Sequence, residues 1–199
     1  MEWTAFTMDV CKKTRLSIIF IVCSLLCAGN LYAREIAVRS ISAKIETGTP
    51  QVVHLAGETA LELPARVETA LDNGITLDFE YEVILKRNRR LIWDPALFRW
   101  FYRRQLSFFA LSSKYVVSTD QDNSAQVFAN LRSALQYLNR LDTIRLALPE
   151  DIPDAGNQHY IEFQMRLDIE SLPLPMRPLA YISSSWRLST DWIEVPLSK

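Results

Sequence analysis

Apolar and polar residues alternate with period two along most of the chain. Val53, Leu55, Gly57, Thr59, Leu61 and Leu63 share one phase. Ile75, Leu77, Phe79, Tyr81, Val83 and Leu85 alternate with Thr76, Asp78, Glu80, Glu82, Ile84 and Lys86, and His159, Ile161, Phe163, Met165, Leu167 and Ile169 repeat the pattern. Successive strand side chains point to opposite faces, so these runs read as strands, the second with one buried and one wet face. Shorter or less regular strands are expected at 35–46, 98–111, 114–119, 143–148 and 191–197. In the first of these the apolar phase shifts between Val38 and Ile41, which predicts a bulge.

Two segments carry helical spacing instead. From Pro64 to Asp72, Leu63, Val67, Ala70 and Leu71 form a stripe, proline occupies the first turn and Asn73-Gly74 supplies a stop. A longer helix is expected to begin after Asn123 or Ser124 and end near Arg140, with Gln126 answering Asn123 as an approximate capping box and Phe128, Leu131, Leu135 and Leu138 as its apolar stripe. The run Leu172-Pro173-Leu174-Pro175-Met176-Arg177-Pro178 reads as a polyproline-like crossover between late strands. Together these elements predict a mainly β fold: a single-domain antiparallel β-sandwich, immunoglobulin-like, over residues 34–199, with two short inserted helices.

The first 33 residues read differently. Lys12, Lys13 and Arg15 precede the apolar run Leu16–Ala28, 13 residues long, and Ala33 stands before the charged pair Arg34-Glu35. A basic flank, a short apolar core and a small residue describe a secretory signal peptide over 1–33, cleaved after Ala33. This places the chain in the periplasm; the alternative is an uncleaved membrane anchor. All three cysteines (Cys11, Cys23 and Cys27) lie in this segment, so residues 34–199 can form neither a disulfide nor a thiolate site. The formal net charge of the whole chain is −1, which argues against nucleic acid as the main partner.

No familiar catalytic pattern emerges: there is no P-loop, HExxH or GxSxG, and the glycines are scattered. His54 and His159 lie on different expected strands, and His54 with Glu58 supplies too few ligands for a metal site. No cofactor or metal is therefore expected. Asp120, Asp122 and Asn123 lack the glycine and terminal glutamate of a calcium loop. Asp78, Glu80 and Glu82 share a strand face, with neighbours about 7 Å apart, a spacing that carboxylate-based hydrolysis can use. A solvated acidic face is the plainer reading.

Charge is uneven. From Lys86 to Arg104 there are seven cations (Lys86, Arg87, Arg89, Arg90, Arg99, Arg103 and Arg104) against one anion, Asp94. Trp93, Phe98, Trp100, Phe101 and Tyr102 are interleaved with them. Guanidinium groups pair with planar anions and stack on rings, so Arg87, Arg89, Arg90, Trp93, Arg99, Arg103 and Arg104 form a candidate binding surface. The competing reading keeps Trp100, Tyr102, Leu106 and Phe108 in the core. Arg99 and Arg103 then lie in the other phase, solvated or paired across strands with the acids of 78–82.

The order of these features resembles a known family. A signal peptide precedes a long strand ending in Lys86-Arg87, a Trp93-Asp94 turn, the hairpin from Tyr102 to Ser118, the leucine-rich helix and Leu172-Pro173-Leu174-Pro175. The chain closes with Trp186-Arg187-Leu188-Ser189-Thr190-Asp191-Trp192, the most particular element. This is similar to the proteobacterial domain-of-unknown-function family DUF4390, sometimes labelled "proline-rich signal peptide protein". The resemblance implies an exported protein of Gram-negative bacteria, brings no catalytic residues, and implies genes that neighbour those of a membrane sensor histidine kinase and an rRNA methyltransferase. Asp94-Pro95 and the arginine-dense hairpin depart from the family pattern. The expectation is a non-enzymatic periplasmic protein that binds another envelope component such as a sensor kinase. The alternatives are an anionic lipid or glycan binder and a carboxylate-based envelope hydrolase.

Overall fold

A computed structural model of the chain describes residues 36–46, 51–88, 95–120, 124–142, 144–149 and 158–198. Nine strands are present among them: β1 (Ala37–Glu46), β2 (Val52–Ala60), β3 (Leu77–Arg87), β4 (Ala96–Phe109), β5 (Lys114–Thr119), β6 (Ala125–Phe128), β7 (Arg145–Ala147), β8 (His159–Leu167) and β9 (Ile193–Ser198). Three helices join them: α1 (Ala65–Asp72), α2 (Leu131–Asn139) and α3 (Arg177–Ile182). The mainly β composition is as expected.

The expected pair of packed antiparallel sheets is replaced by one mixed sheet in the order β6-β5-β4-β3-β8-β9-β1-β2-β7. Strand β9 makes it continuous, pairing antiparallel with β8 and parallel with β1 at Ala43↔Leu197 and Lys44↔Ser198. The sheet curls into a half-barrel. Trp100 on β4 donates its indole N–H to the Ala147 carbonyl on β7 at 3.0 Å. Those strands stand six places apart in the sheet order, about 29 Å if it were flat. Curling brings the inner faces of distant strands together, much as a sandwich does, so the alternation is the same in both architectures.

The inner phase is the core. Leu77, Phe79, Tyr81, Val83 and Leu85 of β3 are fully buried, as are Ile161, Phe163 and Met165 of β8, with Val53 and Leu55 of β2 facing them. The bulge falls where the phase shift puts it, between Val38 and Ser40 in the β1–β2 register. Helix α1 begins after Pro64 and ends in a Schellman-type turn: the Gly74 amide donates to the Leu71 carbonyl and the Ile75 amide to the Ala70 carbonyl. Gly74 takes the positive φ of 87° that this turn requires.

Two segments differ from expectation. Ala125–Phe128 is a strand, paired with β5 from Tyr115↔Phe128 to Ser118↔Ala125, so α2 starts only at Leu131. Its cap is Asn130, whose side chain accepts from the Ser133 amide at 2.9 Å; Asn123 lies outside the described residues. The proline-rich segment is a turn rather than a polyproline-like crossover: the Met176 amide donates to the Pro173 carbonyl at 2.8 Å and the chain enters a third helix, α3, with Pro178 in its first turn, where a missing N–H costs nothing.

Gly57 sits at φ 151° on β2, where a Cβ would overlap the Ser40 carbonyl oxygen of β1. Gly57→Ala therefore meets both backbone strain and a backbone obstacle, and should lower stability by roughly 3 kcal/mol. A Cβ at Gly74 meets nothing within 4 Å, so Gly74→Ala should cost about 1 kcal/mol, the backbone part alone. Urea unfolding of the two variants checks the contrast.

Candidate binding surface

The seven cations between Lys86 and Arg104 do not form one surface. Arg104, expected on it, is fully buried inside the half-barrel. Its Nη1 lies 3.1, 3.1 and 2.8 Å from the carbonyl oxygens of Tyr137, Leu138 and Arg140, at the C-terminus of α2, and its Nε donates to the Tyr102 hydroxyl at 3.3 Å. The rings of Tyr81, Tyr102 and Tyr137 surround it, 5.2–5.3 Å from its Cζ to their centroids. Burial works against its charge, but the tyrosine hydroxyls outweigh that and hold its pKa above the ordinary arginine value. Tyr81 also donates to the Leu138 carbonyl at 2.8 Å, and burial pushes its own pKa up to about 12.

Arg99 and Arg103 point to the outer face and pair across strands. Arg99 Nη1 lies 2.8 Å from Glu82 Oε1, without hydrogen-bond alignment. Arg103 lies 3.5 Å from Glu80 Oε2 and 3.9 Å from Asp168 Oδ2. From the other side Arg166 of β8 donates to Glu80 Oε1 at 2.6 Å, a hydrogen bond that raises the Arg166 pKa further. Gln105 donates to Asp78, and Lys86 pairs with Glu162. Glu80 and Glu82, only 7% and 4% exposed, are thus walled in by the neighbouring strands. Arg87, at the end of β3, donates its Nε–H to His159 on β8 at 3.4 Å. Arg89, Arg90 and Trp93 lie outside the described residues.

Two exposed aromatics, Phe98 and Phe101, lie on the first half of β4; Phe109, Tyr181 and Trp192 are exposed elsewhere. Strand β5 pairs with β4 only from Arg104↔Thr119 to Phe109↔Lys114, after the Asp120 amide donates to the Arg103 carbonyl. Among the described residues, Ala96–Tyr102 therefore has β3 on one side and no strand on the other. Phe98 and Phe101, on opposite faces of this stretch, are 38% and 57% exposed.

A cleft of about 510 Å³ opens beside the charge ladder. Glu80, Arg103, Arg166, Asp168 and Glu170 line one part, and Tyr181, Arg187, Leu188 and Ser189 another. The closing motif builds the second wall: Leu188 accepts from the Leu167 amide, Ser189 accepts from the Ile36 amide, and Thr190 exchanges backbone and side-chain bonds with Met165. Trp186 anchors the motif in the core, while Trp192 is 43% exposed. Of the acidic trio, Glu80 alone lines the cleft. Arg166, Asp168, Glu170, Tyr181 and Arg187 were not singled out from the sequence. Their only signal was the polar phase flanking Leu167 and the position of Arg187 inside the particular tail motif.

Fold and surface together define a β-rich domain, a curled sheet closed on a helix, with a charged cleft at one side. The family model for a domain of unknown function, DUF4390, matches residues 33–196, and the chain belongs to that family. Comparison with curated proteins and with solved structures finds no match. Among the described residues no helix is long and apolar enough to cross a membrane, and no group of three His, Cys, Asp or Glu is placed to hold a metal ion.

Arg104→Gln should cost about 3 kcal/mol or more, because buried carbonyls lose a charged donor. Arg99→Gln, where the arginine is half-exposed but its partner Glu82 is buried, should cost less, about 1–2 kcal/mol. Denaturant midpoints of the two variants test this ordering. Tyr81 makes a second prediction. Its folded pKa of about 12 stands above the ordinary 10.0 of a free tyrosine. Its contribution is complete below pH 10 and is lost as pH rises towards 12. The alkaline loss of stability should accordingly be shallower in Tyr81→Phe than in the parent, read by unfolding at stepped pH.

Proposed function

We propose that the chain is an exported, non-catalytic protein of the cell envelope that binds another envelope component through the open edge of β4. The periplasmic region of a membrane sensor kinase is the first partner to test. One observation carries the reading: Ala96–Tyr102 is strand on one side and unpaired on the other among the described residues, with exposed Phe98 and Phe101 on its two faces. An open edge offers main-chain hydrogen bonds to an extended segment of a partner, and aromatic side chains supply the anchors that dominate interface energies. The carboxylates weigh on the same side. Glu80 is held between two guanidinium groups and Glu82 lies against a third, so neither stands free to act on a substrate. The signal peptide read at 1–33 supplies the compartment.

A photo-crosslinking amino acid at Phe101 in cells expressing the full chain should capture one membrane protein repeatedly, and the same probe at Leu174 should not. Phe101→Ser should abolish capture and leave the melting temperature within about 2 °C, since an exposed aromatic away from the core contributes little to stability. Equal adducts from both probe positions, or none from Phe101, would overturn the reading.

A further inference from the structure

The cleft beside β8 contains charges that the fold does not use. Arg166 and Glu80 are hydrogen-bonded to each other at 2.6 Å, and Asp168 caps the following turn by accepting from the Glu170 amide at 2.9 Å. Arg166, Glu80 and the capping Oδ1 of Asp168 are committed, whereas Asp168 Oδ2 has, among the described residues, only Arg103 at 3.9 Å. Arg187 is not committed: its backbone amide donates to the Ser184 carbonyl, but its side chain is exposed and has no hydrogen bond or ion pair among the described residues. Arg103 lies near Glu80 and Asp168 at 3.5 and 3.9 Å but hydrogen-bonds to neither. On the acidic side, the Glu170 carboxylate receives, among the described residues, one long bond from the Tyr181 hydroxyl, at 3.4 Å. One cleft thus holds an uncommitted cation, a loosely held second one, and a loosely held anion.

We propose that this cleft binds a zwitterion, an oxyanion and an ammonium joined by a short spacer. Arg187 and Arg103 take the oxyanion, and Glu170 with the outer oxygen of Asp168 takes the ammonium. A guanidinium presents paired N–H groups that match a carboxylate or phosphate edge, and such charge-assisted bonds are about twice as strong as neutral ones. A simple anion would be drawn to the arginines but repelled by Glu170 and Asp168, and a simple cation would meet the reverse. Only a ligand of both signs satisfies all four groups. The volume of about 510 Å³ suits a small molecule, and Leu167, Ile169 and Leu188 give it an apolar wall. Two sources share this chemistry: a free dipeptide and the headgroup of an ethanolamine phospholipid.

The test is calorimetric titration of the full chain, purified from the envelope in neutral detergent at low salt. The probes are glycerophosphoethanolamine and alanylalanine, against dimethyl phosphate, acetate and ethanolamine as their separate halves. At least one zwitterion should bind tenfold or more tightly than any half. Arg187→Gln and Glu170→Gln should each weaken it at least fivefold with unchanged melting temperature. The stronger zwitterion names the source, headgroup or peptide. Dimethyl phosphate or acetate binding as tightly as the zwitterions would overturn the proposal, as would both variants binding like the parent or no heat from either zwitterion at about 10 mM. Neither variant touches the β4 edge, so failure here and failure of the crosslinking experiment are distinguishable.

Discussion

A single buried guanidinium sets the terms for the rest of the molecule. The last carbonyls of a helix have no partners within it and carry the negative end of its dipole, so an end that is buried must be given donors. Helix α2 lacks the glycine turn that usually supplies them, since its C-cap Arg140 is extended. Arg104 reaches up from β4 and takes the carbonyls of Tyr137, Leu138 and Arg140. Tyr81 on β3 bonds Leu138 as well, and Asn139 accepts from Thr59 and from the Leu61 amide at the end of β2. The helix end is thereby tied to strands from both halves of the sheet, which is what lets the sheet curl around it.

The same logic accounts for the outer face. The strongly basic stretch and the acidic stripe at Asp78, Glu80 and Glu82 look like two surfaces when read along the chain. In register they are two halves of one cross-strand pattern, with Arg103 and Arg166 flanking Glu80 and Arg99 set diagonally to Glu82. Pairs of this kind contribute roughly 0.2–1 kcal/mol each, and together they fix which strand lies beside which. Within the basic stretch, Lys86, Arg99 and Arg103 thus meet carboxylates on the neighbouring strands or the turn after β8.

Much of the fold was legible because period two reports local geometry. The strand runs and the β1 bulge followed from it, and helix α1 from its helical spacing between Pro64 and Asn73-Gly74. The single sheet was not legible, because it rests on pairings between distant parts of the chain, such as Ala43 with Leu197 and the Ile36 amide with the Ser189 carbonyl. Nor was β6: four residues are too few to separate strand from helix by pattern, and β5 decided the matter. Arg104 is the instructive residue. It lies in phase with Tyr102 and Leu106, which puts it inside, while its charge argued for the surface. The phase decided, since the core offered carbonyls and tyrosines enough to hold it.

The candidate site illustrates the converse. Arg103 and Glu80 were visible as charged residues, but density of charge along the sequence does not separate charges that build the fold from charges that remain available. That separation requires the partners. Arg166 and Glu80 satisfy each other; Arg187 and Glu170 sit in the same cleft and do not. A group held by its own fold loses those bonds if it turns to a ligand, whereas a group bound only to water loses much less. Recognition in this cleft therefore belongs to the residues with the least to do in the structure: the tail motif is anchored by Trp186 and Thr190, and the Arg187 side chain it carries has no partner among the described residues.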